Sequence, residues 1–187
     1  MEYINVNDFK TGVTIMYEDN IYQVLEFQHV KPGKGAAFVK AKLKNLRTGG
    51  TIEKTFNSGI KVDTARIERK PMQYLYQMDN KFYFMNMNDF DQIDLDKDVV
   101  GENAKYLKEN LDVYITFYEG EVLGIDLPDK VELKVIETEP AVKGNTTNNA
   151  LKDAKVETGY NVRVPLFIEN DEVIIISTKD GKYVSRA

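Results

Sequence analysis

Apolar and polar residues alternate along this chain in short runs, each closed by a turn signal, and almost nowhere with a helical period. Val13 to Tyr17, Ile21 to Phe27, Phe38 to Leu46 and Thr51 to Phe56 succeed one another, with Glu18-Asp19-Asn20 and Arg47-Thr48-Gly49-Gly50 as turns between them. Alternate residues of a strand share a face, so such runs specify sheets that each bury one side, the mark of small barrels. Arg69 to Met78 and Lys81 to Met87 continue the pattern across Asp79-Asn80, and Val113 to Tyr118 and Val122 to Leu127 do so across Glu119-Gly120. Val131 to Thr138, Asn161 to Ile168, Glu172 to Ser177 and Lys182 to Ser185 complete it. One helical stretch is expected, Asn103 to Asn110, about two turns. The acidic run Asp89 to Asp98 reads as a solvated connection. The pattern restarts near Gly59–Arg66 and at Leu127-Pro128-Asp129. The expectation is an all-β chain in three pieces, 1–63, 64–128 and 129–187.

Between the second and third of these runs lies Lys31-Pro32-Gly33-Lys34-Gly35. Pro32 has a fixed φ and no backbone donor, which suits a turn and not a sheet interior. Gly33 and Gly35 tolerate positive φ and offer Lys34 no side chain to lean on. From Glu26 to Lys34 the chain has room to extend roughly 25 Å, longer than a turn requires. No acid occurs from Phe27 to Ile52, while Lys31, Lys34, Lys40, Lys42, Lys44 and Arg47 are all basic. Alternation puts Lys40, Lys42 and Lys44 on one face and Val39, Ala41 and Leu43 on the other. Two readings are open: a solvated strand face with a soluble turn, or a small cationic probe aimed at phosphate-rich surroundings. The alternation alone does not choose between them.

Composition narrows the classes. The chain of 187 residues has no cysteine, which excludes disulfides, zinc–thiolate sites and thiol nucleophiles. Met1 to Val6 lacks the basic head and apolar run of a signal peptide, and no stretch approaches the roughly 20 apolar residues of a membrane helix. A soluble cytoplasmic protein is expected. The net charge of −5 is unevenly spread: residues 1–62 carry +3 and the remainder −8. A basic front on an acidic body fits orientation toward a polyanion more than uniform coating of one.

The chemistry-bearing motifs mostly fail. Gly33-Lys34-Gly35 precedes a strand and lacks the third glycine of a dinucleotide fingerprint, and no Gly-Lys-Ser/Thr of a phosphate loop occurs. Asp94, Asp96 and Asp98 mimic the start of a calcium loop, but Val99 and Lys105 replace its glycine and its bidentate glutamate. His29 is the single histidine, so nucleophile–base–orienter sets lack parts. Asn145-Thr146-Thr147 matches a glycosylation acceptor only by chance in an unsecreted chain. Tyr74, Tyr76, Phe82, Tyr83 and Phe84 read either as a base-stacking platform or as cross-strand core.

Two local patterns then coincide. Lys31-Pro32-Gly33-Lys34-Gly35, continuing through Ala37-Phe38-Val39-Lys40-Ala41-Lys42-Leu43, resembles the modified-lysine arm of the bacterial translation elongation factor P family. Lys152-Asp153-Ala154, Gly159, Val162 and Val164-Pro165-Leu166-Phe167-Ile168 resemble that family's C-terminal signature. Glu53-Lys54-Thr55-Phe56, Tyr74-Leu75-Tyr76, Val131-Glu132-Leu133 and the ending Tyr183-Val184-Ser185-Arg186 fall in the same order. Asp171 stands where the signature ends in glycine, so a differently built turn is expected there, and Asn145 stands where the family often has Asp.

The resemblance implies an N-terminal SH3-like (KOW-type) barrel followed by two OB-type barrels, in an L shape like tRNA. It implies a monomer that binds the ribosome beside peptidyl-tRNA and promotes peptide-bond formation at consecutive prolines. The factor so implied is not an enzyme and has no cofactor, metal or membrane partner. Lys34 would be extended by a modifying enzyme. Lys31, Pro32, Gly33, Lys34, Gly35, Lys40, Lys42 and Lys44 would form the arm that meets ribosomal and transfer RNA. Gly144, Asn145 and Thr146 would form the loop near messenger RNA, with Tyr183 and Arg186 as C-terminal contacts. Two other classes remain beside it: a generic single-stranded nucleic-acid binder, and an enzyme with a buried carboxylate pair whose pKa values are displaced.

Overall fold

The computed structural model describes residues 2–141 and 150–187. The described chain is all-β and forms three sheets. The first has the order β1-β6-β2-β3-β4-β5. Its strands are β1 (Tyr3–Asn5), β2 (Thr14–Tyr17), β3 (Asn20–Val30), β4 (Phe38–Asn45), β5 (Thr51–Asn57) and β6 (Lys61–Thr64). β4 lies between β3 and β5 and alternates strictly: Val39, Ala41 and Leu43 are buried, and Lys40, Lys42 and Lys44 are exposed. The buried side joins Val6, Phe9, Ile15, Val24 and Phe56 in one core. Phe9 and Tyr17 both meet the Phe56 ring edge-on, at 5.9 and 5.4 Å, the geometry that aromatic quadrupoles favour.

The second sheet has the order β11-β10-β7-β8-β9. It comprises β7 (Glu68–Met78), β8 (Lys81–Asn86), β9 (Gln92–Asp96), β10 (Asp112–Tyr118) and β11 (Glu121–Asp126). The third has the order β14-β13-β12-β15-β16, from β12 (Lys130–Thr138), β13 (Leu151–Val156), β14 (Asn161–Pro165), β15 (Val173–Ser177) and β16 (Tyr183–Arg186). Leu133, Val135, Val156, Val164, Ile174 and Ile176 fill the core of the third sheet, and Tyr106 joins them. By density of contacts the chain divides into two compact units. One is Met1–Arg69 with Thr116–Gly124, the tip of the β10–β11 hairpin, and the other is Lys70–Ile115 with Ile125–Ala187.

Three local expectations are corrected. The helix expected at 103–110 is instead a four-residue α-turn, α1 (Lys97–Val100), succeeded by a 3-10 turn over Gly101–Tyr106. Gly101 takes φ 56° and stops the α-turn, and Asn110 takes φ 68° beyond the 3-10 segment. The acidic run is not a connection throughout, because Gln92–Asp96 forms β9 with Leu95 buried and Asp94 and Asp96 facing out. The stretch near residue 60 is not only a boundary, since β6 pairs with both β1 and β2.

Lys152 is a charged residue inside the third sheet. It is 5% exposed, and its Nζ donates to the carbonyls of Glu139 and Ile168, at 2.5 Å each. A buried ammonium has to be satisfied in place, and here it ties the end of β12 to the segment after β14. Asp171 takes φ 69°, so an aspartate holds the left-handed conformation that glycine favours. Its carboxylate lies 3.6 Å from Lys134 Nζ.

Candidate functional site

The arm is the outer half of the β3–β4 hairpin. Pairing runs from Tyr22↔Asn45 to Val30↔Phe38, with a shift in register between Val24 and Glu26 that leaves Leu25 without an opposite number. Before this bulge β3 is largely buried; beyond it, Glu26, Phe27, Gln28 and His29 are all exposed. A bulge bends its strand and re-aims the residues beyond it, and five paired residues from Glu26 to Val30 extend about 16 Å. Phe27 and His29 lie opposite Ala41 and Val39 and meet edge-on at 5.6 Å.

Lys31 to Ala36 form the tip, and every one of these residues is exposed. Gly35 takes φ 100° while Gly33 does not need a positive φ. The conformational freedom of glycine is therefore used on one side of Lys34 only. The loop rejoins the barrel where the Ser58 N–H donates to the Ala37 carbonyl at 3.0 Å, and the Ser58 hydroxyl donates to Asn7 Oδ1 at 3.0 Å. Among the described residues, neither Lys31 nor Lys34 has an ion-pair or hydrogen-bond partner for its side chain.

Of the remaining cations of the acid-free run, Lys40, Lys42 and Arg47 are less free. Lys40 Nζ lies 3.4 Å from Glu53 Oε2. Register places Lys42 between Glu26 on β3 and Glu53 on β5, while Lys44 lies between Gln23 and Thr51. The acids that bound the run in sequence thus return beside its middle in space. Arg47 is committed to the fold of the first unit. Its Nε and Nη2 donate to the two carboxylate oxygens of Glu121, at 3.1 and 3.0 Å, and its Nη1 donates to the Asp19 carbonyl at 2.9 Å. The Glu121 hydrogen bonds hold the guanidinium above its ordinary pKa. Sequence reasoning missed this role, because the partner is 74 positions away.

The other candidates divide. Tyr74, Phe82 and Phe84 are core residues, whereas Tyr76 and Tyr83 stack on the outer face of their sheet at 4.7 Å. Tyr183 packs half-buried against the third core, and burial pushes its hydroxyl pKa up. Arg186 lies 4.5 Å over the Phe167 ring and 3.2 Å from Glu172, and donates to the Phe167 carbonyl. Gly144, Asn145 and Thr146 lie outside the described residues. Asp94 is held below the usual carboxylate range by its hydrogen bond from Lys81, an exposed pair and not two buried acids. Among the described residues no group of three or more His, Asp or Glu side chains is placed to hold a metal ion, and no helix is long and apolar enough to cross a membrane.

Comparison with known structures finds this fold again. The eukaryotic translation initiation factor 5A from Methanococcus jannaschii matches 67% of this chain and 94% of its own, with TM-score 0.55 and 21% identity. A translation initiation factor eIF-5A family protein from Naegleria fowleri matches 67% and 98%, with TM-score 0.55 and 16% identity. At these identities the likeness is one of fold alone. Sequence-family models say more. The elongation factor P KOW-like domain matches residues 5–62, the elongation factor P OB domain 67–125, and the elongation factor P C-terminal model 131–186. Three domain models of one family succeed each other along nearly the whole chain, and the chain belongs to the elongation factor P family of translation elongation factors.

Proposed function

We propose that this cytoplasmic factor binds the ribosome as a monomer beside peptidyl-tRNA and promotes peptide-bond formation at consecutive prolines, with Lys34 as its working group. The observation that carries this reading is the setting of Lys34. It stands exposed at the end of a hairpin whose β3 strand is exposed from Glu26 to His29, and no acid engages it among the described residues. A cation held that way is available to phosphate oxygens, with which an ammonium makes charge-assisted hydrogen bonds. Proline is a poor nucleophile for reasons of entropy and geometry, so fixing the acceptor end of peptidyl-tRNA supplies rate by orientation. The factor needs no acid, base or nucleophile of its own for this. It acts as a positioning cofactor and not as an enzyme.

An exposed lysine on a glycine-flanked loop is also accessible to a modifying enzyme, and an extension on Nζ would lengthen its reach. The proposed boundaries are 1–63 for the arm-bearing barrel, 64–128 for the central one and 129–187 for the last. Lys31, Lys40, Lys42 and Lys44 add RNA contacts along the arm, and Gly144, Asn145 and Thr146 add contacts to messenger RNA. Translation of a reporter with consecutive prolines, with and without factor purified from its host, tests the function. The reporter is expected to stall without the factor and read through with it, and stalling unrelieved by the factor would refute the proposal. Peptide mapping of the same preparation is expected to find added mass on Lys34.

A further inference from the structure

The second sheet turns its aromatic residues two ways. Tyr74 pairs with Phe84 on the buried side, and the shift in register between Tyr74 and Tyr76 sends Tyr76 to the opposite face, against Tyr83. These two rings stack at 4.7 Å with 19° between their planes. Tyr76 remains 47% exposed, and Met78, next along the same face, 54%. A stacked pair on a solvent face covers one side of each ring and leaves aromatic surface whose negative quadrupole attracts cations.

The charges beside this pair are mostly acidic. Register places Asp94 next to Tyr83 and Asp96 next to Lys81, and Asp79 occupies the turn between the two strands. Lys81, the cation of these rows, is engaged by Asp94 at 2.8 Å. Among the described residues no ion pair within 4 Å engages Asp79 or Asp96. Such a surface repels phosphate, whose recognition rests on Lys and Arg. It suits a guanidinium, which is planar and weakly hydrated, stacks on aromatic faces and forks to carboxylates.

We infer that the Tyr76–Tyr83 face is a docking site for an arginine-bearing segment of a basic protein. The site is independent of the arm and goes beyond the function proposed for it. Tyrosines supply the stacking surface, and Asp79 and Asp96 supply the unpaired charge.

The test titrates the full chain at about 0.15 M salt with an octa-arginine peptide, an octa-lysine peptide and a single-stranded oligouridine, monitoring the tyrosine ring resonances. Octa-arginine is expected to bind about fivefold tighter than octa-lysine, the size of one exposed cation–π contact, and to shift Tyr76 and Tyr83. Tyr76→Leu, which keeps every charge, is expected to bring arginine down to the lysine level. Asp96→Asn is expected to weaken arginine binding while leaving the rings stacked. Equal affinity for the two peptides with no effect of Tyr76→Leu would reduce the face to bulk charge and overturn the inference. Oligouridine binding that shifts Tyr76 and is lost in Tyr76→Leu would overturn it in favour of base stacking.

Discussion

Lys40 and Glu53 face each other across β4 and β5 at 3.4 Å, although the sequence around Lys40 contains no acid on either side for many positions. The same glutamate stands in register with Lys42. The basic face of the arm is therefore partly neutralised by a neighbouring strand, and its free positive charge concentrates toward Lys31, Lys34 and Lys44. Exposed pairs of this kind contribute roughly 0–1 kcal/mol. Glu53→Gln is expected to leave urea stability within about 0.5 kcal/mol and to tighten ribosome binding. Lys42→Glu is expected to weaken it. Affinity measured against salt should fall with a log–log slope of roughly −2 to −4, that of a few phosphate contacts. A slope near zero would contradict an electrostatic arm.

The two tip glycines are expected to behave differently. Gly35 sits at φ 100° with nothing within 4 Å of an added Cβ, so Gly35→Ala meets backbone strain of about 1–2 kcal/mol, which the exposed loop relieves by moving. Gly33→Ala meets neither strain nor a neighbour. Activity on a proline reporter should drop in Gly35→Ala and stay near wild type in Gly33→Ala, with global stability little changed in both. Equal activity of the two variants would show that tip geometry is unimportant.

Gly181 predicts a stability effect. A Cβ there would stand 2.6 Å from the Tyr160 hydroxyl and 2.9 Å from that of Tyr106, on a backbone at φ 74°. Tyr160 donates to the Gly181 carbonyl at 2.8 Å, which fixes the ring in the way. Gly181→Ala is expected to cost about 2–3 kcal/mol, and Tyr160→Phe about 1 kcal/mol. Equilibrium unfolding in urea measures both, and a neutral Gly181→Ala would contradict the packing described.

Lys152 is expected to be structural in the strict sense. Removing its amine strands the buried carbonyl of Ile168 and takes a partner from that of Glu139, so Lys152→Ala should cost roughly 3 kcal/mol and Lys152→Met less, because volume is kept. Urea midpoints at constant slope report the difference. A Lys152→Ala chain as stable as wild type would mean that the amine is not needed there.

The legible parts of this fold share one property, a strand with one wet and one dry face. Phe38 to Asn45 reads correctly because β4 is an interior strand of its sheet and its alternation has a single physical cause. Gln92–Asp96 carries the same alternation, Ile93 and Leu95 against Asp94 and Asp96, but the density of aspartates around it favours a loop and masks the period. β1 and β6 are three and four residues long, too short for periodicity, and their pairing joins positions some sixty residues apart. Likewise, local charge counting isolates Lys34 correctly, because a loop tip has few neighbours from elsewhere. It overstates Lys40, Lys42 and Arg47, whose acids arrive through Glu53, Glu26 and Glu121 only after folding.

The central claim is that the amine of Lys34 does the work. In vitro translation of a polyproline reporter, with factor variants purified from the host, measures it most directly. Lys34→Ala is exposed-loop surgery and should leave stability within about 0.5 kcal/mol, so its effect reads function and not folding. Lys34→Ala is predicted to leave stalling unrelieved, while messages without consecutive prolines are translated normally. Lys34→Arg keeps the charge but replaces a compact amine with a planar fork, and is predicted to fail as well. Full read-through by Lys34→Ala would contradict the claim.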